Sequence, residues 1–393
     1  MHWQIVNWIA GGILALAWFS RFVDAAIGMP RVANIARPEW DRRPATANGE
    51  PRVSIIVPAR NEEENIRETL TRLLALEYSN YEIIAVNDRS TDRTGQIMDE
   101  VAASPQARDF LKAIHVSELP AGWLGKTHAM WTAAQQASGD WLLFTDADVL
   151  FRPDALRRAM AYADAECAAH LVVFPCMIMK QPSEKMMIAF FQALFVFGHR
   201  PWKVADPKAR DHMGVGAFNL VRRSVYDAVG TYRTLRMEVL DDMKLGKVVK
   251  NAGFAQRNVS GDDLISIHWA KGAFGIVNNL TKNFFAVLSF QWPRTVACIL
   301  GLGFLNLGPF LGAGLAHGWA RAPYVIALGS MFAIYCGMRH RSGVPPYYFL
   351  LHPVSTSLFM YTLLRSMVHT FWNGGIVWRG TKYPLEELRK GLV

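Results

Sequence analysis

The sequence predicts an α/β protein built on a doubly wound, mostly parallel sheet, with strongly apolar helices before and after it in the chain. Three observations carry that prediction. Runs of β-branched or large apolar residues at 53–57, 81–86, 112–115 and 141–145 alternate with stretches of helical periodicity at 65–76, 94–101 and 127–136. Alternation of this kind needs crossover connections, and those give parallel neighbours. The runs also end in polar residues, as they do when ligands lie along the carboxyl edge of an open sheet. Finally, residues 5–19, 295–315, 322–338 and 347–364 are apolar over lengths at or near the roughly 17–25 residues that cross a bilayer.

The stretch WLLFTDADVL at 141–150 is central. Residues 141–145, bounded by the Ser138-Gly139-Asp140 turn, read as a buried strand, and Asp146 and Asp148 follow at its carboxyl end. In extended backbone, residues i and i+2 point to one side, so the two carboxylates would converge on a hard cation with the small Ala147 turned away. A G-x-G-x-x-G or Walker A motif is absent from the sequence, which removes support for a dinucleotide or P-loop site.

Of the 393 residues, 51% are hydrophobic, with 13 Trp and 22 Phe, a surplus that points to a membrane. The first ten residues hold no Lys or Arg, unlike a cleavable signal peptide, and positive charge begins at Arg21, Arg31, Arg37, Arg42 and Arg43. By the positive-inside rule the amino terminus faces out and the following domain is cytoplasmic, at a bacterial-type inner (plasma) membrane. Cys167, Cys176, Cys298 and Cys336 form no zinc or disulfide pattern. The net charge of +9 suits an anionic leaflet, and with no basic-aromatic motif it does not suggest nucleic acid. The expected domains are an anchor at 1–24, a Pro- and Arg-rich linker at 25–51 and the sheet domain at 52–269. An interfacial amphipathic segment at 270–294, a membrane region at 295–364 and a basic tail at 365–393 complete the chain. Four full spans would leave that tail outside, whereas Arg365, Arg379, Lys382, Arg389 and Lys390 want it inside. Either the stretch broken at His352-Pro353 does not fully cross, or the one broken at 306–309 forms a hairpin.

VSIIVPARNEEENI, IIAVNDRSTDRT, GWLGKTHAMWTAAQQASGDWLLFTDADVLFRPDAL and VLDDMKLGKVVKNAG, in that order, resemble the family-2 glycosyltransferases of GT-A fold. With the flanking spans and the WRGTKY tail, the chain is similar to the membrane-bound bacterial branch of hopanoid-associated, carotenoid-type and ceramide glucosyltransferase-like enzymes. The resemblance implies a donor site of Ala59, Arg60, Glu62, Asp88, Lys126 and Asp146 for a nucleotide sugar, UDP-linked in this branch. It implies Mg²⁺ or Mn²⁺ on Asp146 and Asp148 with the diphosphate. In Leu240-Asp241-Asp242-Met243, where the family commonly has Glu-Asp, it implies Asp242 as base with Asp241 beside it. Single displacement would invert the anomeric centre.

For a membrane lipid or isoprenoid acceptor, the candidates are Gly214 and Gly216 in a glycine loop, Arg222 after it, and Phe190, Phe191 and Trp269 in aromatic stretches too apolar to face water. The processive members carry Gln-x-x-Arg-Trp after the base. Here His268-Trp269 and Lys282-Asn283 occupy that region instead, which favours one sugar per acceptor. A polysaccharide synthase of the same fold and a non-catalytic nucleotide-sugar-binding scaffold are the two other readings.

Overall fold

The computed structural model describes residues 2–45 and 49–393, which fall into two compact units. One comprises Val32–Ile178, Lys203–His268 and Val377–Val393; the other comprises Met1–Arg31, Met179–Trp202 and Trp269–Ile376.

The first unit is built on a seven-stranded sheet among the described residues, in the order β3-β2-β1-β4-β8-β6-β9. In chain order its leading strands are β1 (Val53–Ala59), β2 (Tyr81–Asp88), β3 (Leu111–Val116) and β4 (Trp141–Phe144). Next come β5 (Val149–Phe151), β6 (His170–Phe174), β7 (Cys176–Met177), β8 (Asn219–Arg222), β9 (Gln256–Ser260) and β10 (Ile265–Ile267). Pairing is parallel from β3 through β4 and between β6 and β9, while β8 runs antiparallel to both its neighbours. Residues 53–57 and 141–144 are buried on both faces, as a continuous apolar run requires. The switch point, where β1 and β4 lie side by side but lead in opposite directions across the sheet, opens a crevice at their carboxyl ends. A small sheet, β5-β10-β7, follows the crevice.

Two sequence expectations change here. Asp146 and Asp148 sit in a turn between β4 and β5, not in extended backbone. Ala147 is nevertheless buried, and its carbonyl accepts the Thr69 hydroxyl at 2.9 Å. The supposed linker at 25–51 is partly structural. Ile35 is fully buried, its N–H donates to the Ser260 carbonyl at 2.9 Å, and Trp40 packs edge-on against Tyr162. Residues 46–48 of that segment lie outside the described residues.

The second unit is helical: His2–Gly28, Pro182–Gly198, Gly272–Val287, Trp292–Leu315, Ala322–Ser342 and His352–Trp372. Helix Pro182–Gly198 belongs to it and not to a continuous sheet domain at 52–269. Two segments among the described residues, Gln4–Arg31 and Trp292–Leu315, are long and apolar enough to cross a membrane. Trp292–Leu315 runs unbroken through 306–309, so the hairpin alternative is not what forms. Pro309 has no N–H for the Leu305 carbonyl, and the Trp18 indole donates to that oxygen at 2.7 Å instead. His352-Pro353 starts a helix, with the proline in the first turn where its missing N–H costs nothing.

Helix His352–Trp372 reverses the usual arrangement. Its buried face holds His352, Ser355, Thr356, Thr362, Ser366 and Thr370 alongside Phe359 and Leu363, while Val354, Tyr361, Leu364, Val368, Phe371 and Trp372 are exposed. The His352 ring lies between the Tyr335 hydroxyl and the Asn306 amide oxygen, each at 3.0 Å. Apolar outside and hydrogen-bonded polar inside is the distribution that suits a hydrocarbon solvent.

Candidate active site

Each parallel strand delivers one part of the site at its carboxyl end. After β1, Asn61 adopts a left-handed conformation and its side chain accepts the Thr91 N–H at 2.8 Å, while the Glu62 N–H donates to the Thr94 hydroxyl at 2.7 Å. These bonds stitch the loop after β1 to the loop after β2. Asp88, last in β2, is buried and held by both arms of the Arg89 guanidinium at 2.7 and 3.0 Å, with Arg60 at 3.8 Å. Gly125 opens the next helix against this pair. A Cβ there would lie 2.3 Å from the Asp88 carboxylate, so a larger residue would push the Asp88–Arg89 pair out of place.

Lys126 follows, and its ammonium reaches Asp146 at 2.8 Å and Asp241 at 3.5 Å. Asp241 and Asp242 begin helix Asp241–Asn251, where the dipole favours carboxylates. Together Lys126, Asp146, Asp241 and Asp242 line a small pocket with Thr145, Asn219 and Tyr232. The Asp242 carboxylate accepts the Met243 N–H at 2.7 Å.

The electrostatics follow from three acids around one ammonium, with Asp148 beside Asp146 and Glu62. Burial works to lower the Lys126 pKa, and Asp146, Asp241 and Asp242 outweigh it, so the amine stays charged. Burial first, then Asp146 and Glu62, push Asp148 up to about 7. Burial also lifts Asp241 to about 7, with Lys126 opposing and Asp242 and Asp146 adding to the rise. Asp242 is raised mainly by burial, against the pull of Lys126.

A divalent cation fits this donor set. No group of three or more His, Cys, Asp or Glu gathers for a metal among the described residues, so protein alone does not complete a shell. Asp146 and Asp148 repel one another despite the nearby Lys126 and Arg379, and two such carboxylates suit a cation shared with diphosphate oxygens and water.

The glycine loop has a different role from the one its sequence suggests. A Cβ on Gly214 would lie 1.8 Å from the Asp242 carbonyl oxygen, and one on Gly216 would lie 2.4 Å from the Asp146 carboxylate. The glycines therefore let this loop close against the two acids. Arg222 is not near the pocket. The antiparallel register pairs it with Trp141, at the amino end of β4, where it stacks over that ring and donates to the Ala168 carbonyl at 2.9 Å. In the helical unit, Phe190 is enclosed by His352 and Phe359 and offers no surface to a ligand. Phe191 is partly exposed and packs on Trp269 with ring centroids 5.1 Å apart.

Four residues were not singled out from sequence. Tyr232 is fully buried against Phe144, with its hydroxyl unpartnered beside the acids. Asn219 donates to the Asp242 carbonyl at 3.3 Å. Arg379 ion-pairs with Glu62, and the Tyr383 hydroxyl accepts the Gly125 N–H at 3.1 Å. Of these, only the last two lie in a stretch with a visible signal, the WRGTKY tail.

Residues 54–242 match the family described as Glycosyl transferase family 2. They form a family-2 glycosyltransferase domain. Over 386 residues the chain is 22% identical to the 4,4'-diaponeurosporenoate glycosyltransferase of Staphylococcus aureus, covering 95% of this chain and 100% of that one. The protein of the same name from Staphylococcus haemolyticus is 23% identical over 253 residues, 63% of this chain and 65% of that one. Among solved structures, the mannosyltransferase PcManGT from Pyrobaculum calidifontis, in complex with GDP-Man and Mn²⁺, superposes with a TM-score of 0.55. It is 19% identical and covers 93% of this chain and 99% of that one. The glycosyltransferase domain thus has the GT-A fold that its motifs predict.

Two predictions follow from the geometry. A carboxyl whose folded pKa lies above its ordinary value binds its proton more tightly in the folded chain. The stabilisation is therefore complete below that ordinary value and is lost as pH rises from about 4 to about 7. In EDTA, Asp148→Asn should melt above the wild type by a margin that widens across this window; a margin independent of pH would show that Asp148 is not strained. Gly216→Ala should lower turnover with little change in melting temperature, because a carboxylate can rotate away. Gly214→Ala meets backbone and should lower both.

Proposed function

We propose that this domain moves a sugar from a nucleoside-diphosphate sugar, UDP-linked, to a membrane lipid or isoprenoid acceptor, by single displacement with inversion. The packing of Lys126, Asp146, Asp241 and Asp242 around one pocket at the carboxyl end of β4 carries this reading. Glu62 and Asp88 accept hydrogen bonds from the nucleoside, and Ala59 and Arg60 form the floor of that subsite. Asp146 and Asp148 would hold Mg²⁺ or Mn²⁺, which when bound supplies charge to stabilise the departing diphosphate. Lys126 adds a fixed positive charge beside the same diphosphate. Asp242 takes the proton of the attacking hydroxyl, and burial, which raises its pKa, strengthens it as a base. Asp241, the more enclosed carboxylate, holds Lys126 in place.

The relatives' name describes an acid, and a carboxylate acceptor is already ionised at neutral pH. The need for a base therefore separates the two acceptor chemistries. With purified full-length chain, labelled UDP- and GDP-sugars and mass spectrometry of the product, Asp242→Asn should lower kcat on a hydroxyl acceptor by about 10²- to 10⁴-fold. Donor binding should be unchanged. Near-normal turnover on that acceptor would move the base to Asp241, whereas loss confined to hydroxyl acceptors would fit a natural acceptor that is an acid. Asp148→Asn should cost orders of magnitude in turnover, and wild-type turnover that survives EDTA unchanged would count against the metal.

The helical unit is proposed to lie in the plasma membrane, with the catalytic unit cytoplasmic. The polar-inside, apolar-outside helix His352–Trp372 supports this, as do the segments Gln4–Arg31 and Trp292–Leu315. A bilayer location lets an isoprenoid stay in hydrocarbon, where withdrawal would cost about 0.8 kcal/mol per methylene. Phe191, with Trp269, is the remaining aromatic candidate to meet its apolar body. Alkaline carbonate washing should leave the chain in the membrane pellet; release into the supernatant would contradict the assignment.

A further inference from the structure

The carboxyl-terminal strands β11 (Gly375–Trp378) and β12 (Thr381–Pro384) form a hairpin whose two-residue turn is Arg379-Gly380. Both turn residues have positive φ, 46° and 79°, the conformation of the tight hairpin turn that ordinarily takes Asn-Gly. Arginine is a costly choice for the first position. Its guanidinium explains the choice, because it ion-pairs with Glu62, the carboxylate after β1.

Arg379 has further neighbours in the same place. Its charge opposes the upward shift of Asp148 and disfavours the charged form of Arg60, so it stands within electrostatic reach of both. Three positions beyond the turn's end, Tyr383 is buried while Lys382 beside it is exposed, as strand alternation requires. The Tyr383 hydroxyl accepts the Gly125 N–H at 3.1 Å and stands within electrostatic reach of Arg89, the partner of Asp88. The hairpin thus touches Glu62 and the first turn of the Lys126 helix.

We infer that this hairpin is part of the donor site, with Arg379 binding the diphosphate of the nucleotide and Tyr383 fixing the amino end of the Lys126 helix beneath it. The inference rests on the donor-site reading given above. A guanidinium beside a carboxylate that takes a ribose or base can turn its free N–H groups to phosphate oxygens in the planar, two-pronged manner that lysine lacks. Glu62 holds it ready. Arg379 is then a donor-binding residue and Tyr383 a positioning residue.

Arg379→Asn is the informative variant, because asparagine prefers the left-handed turn conformation and so keeps the hairpin while removing the charge. Binding of UDP and of GDP, each with Mn²⁺, to the full-length chain in detergent would be measured by calorimetry, with thermal melting alongside. For whichever nucleotide the wild type binds, Arg379→Asn should weaken affinity by roughly ten- to a hundred-fold at an unchanged or higher melting temperature. Arg379→Lys should fall between the two, Tyr383→Phe should lose several-fold, and Lys382→Asn, which removes a charge from the same hairpin, should bind like the wild type. Affinity equal to or tighter than the wild type in Arg379→Asn would overturn the inference, because the residue would then be a hairpin clasp or a competitor of the donor. An equal loss in Lys382→Asn would also overturn it, reducing the effect to net charge. Asp88→Asn separates this from the underlying reading: if it binds normally, or if the wild type binds neither nucleotide, the donor site itself is misassigned.

Discussion

The Lys126 ammonium, set between Asp146 and Asp241, is the interaction on which the site depends. Asp146 comes from the turn after β4 and Asp241 from the start of a helix nearly a hundred residues later. Without a positive charge between them, the acids at the switch point would repel one another in a setting that burial makes worse, as the raised Asp148 and Asp241 pKa values record. One lysine cannot neutralise the three carboxylates around it. The residual negative charge is what the proposed cation and the proposed base would draw on.

Close approach is the second constraint, and glycine satisfies it three times. Gly125 brings the Lys126 helix onto the Asp88–Arg89 pair, Gly216 lets the loop before β8 reach Asp146, and Gly214 lets it lie against the Asp242 backbone. Each contact packs a loop or helix start directly against an acid-bearing segment, and a side chain at any of the three positions would meet that segment.

The edges of β1, β2 and β4 were legible because each is a largely apolar, buried run ended by a turn or a polar loop, which leaves few alternatives; β3, at the sheet edge, is only partly buried. Glu62, Asp88, Lys126, Asp146, Asp148, Asp241 and Asp242 were legible for a related reason, since each stands at a strand end or helix start within an ordered motif. What escaped was non-local. Arg379 and Glu62 are 317 positions apart, and no periodicity links them. Ile35 docks on Ser260 from a segment whose Pro and Arg content reads as linker. Arg222 followed a glycine loop and looked like a ligand, but the antiparallel course of β8 takes it to the wrong end of the sheet. Sequence can state that a residue follows a loop; it does not state which way the next strand runs.

The helical unit shows why hydropathy alone undervalues some of its segments. Helix His352–Trp372 is not among the segments long and apolar enough to span by composition; Ser, Thr and His occupy one face, and these are among the residues it buries. Thr356, Thr362 and Thr370 each return their hydroxyl to the carbonyl four residues earlier, at 2.7 or 2.8 Å, so burying them leaves no donor unpaired. His352 is satisfied at both ring nitrogens. In water, exposing Val354, Leu364, Phe371 and Trp372 while burying hydroxyls would sacrifice the main driving force of folding. In hydrocarbon the preference reverses: apolar side chains cost nothing outside, and polar ones must find partners within. The same residues that dilute the average hydropathy are therefore the ones that specify how the helix packs.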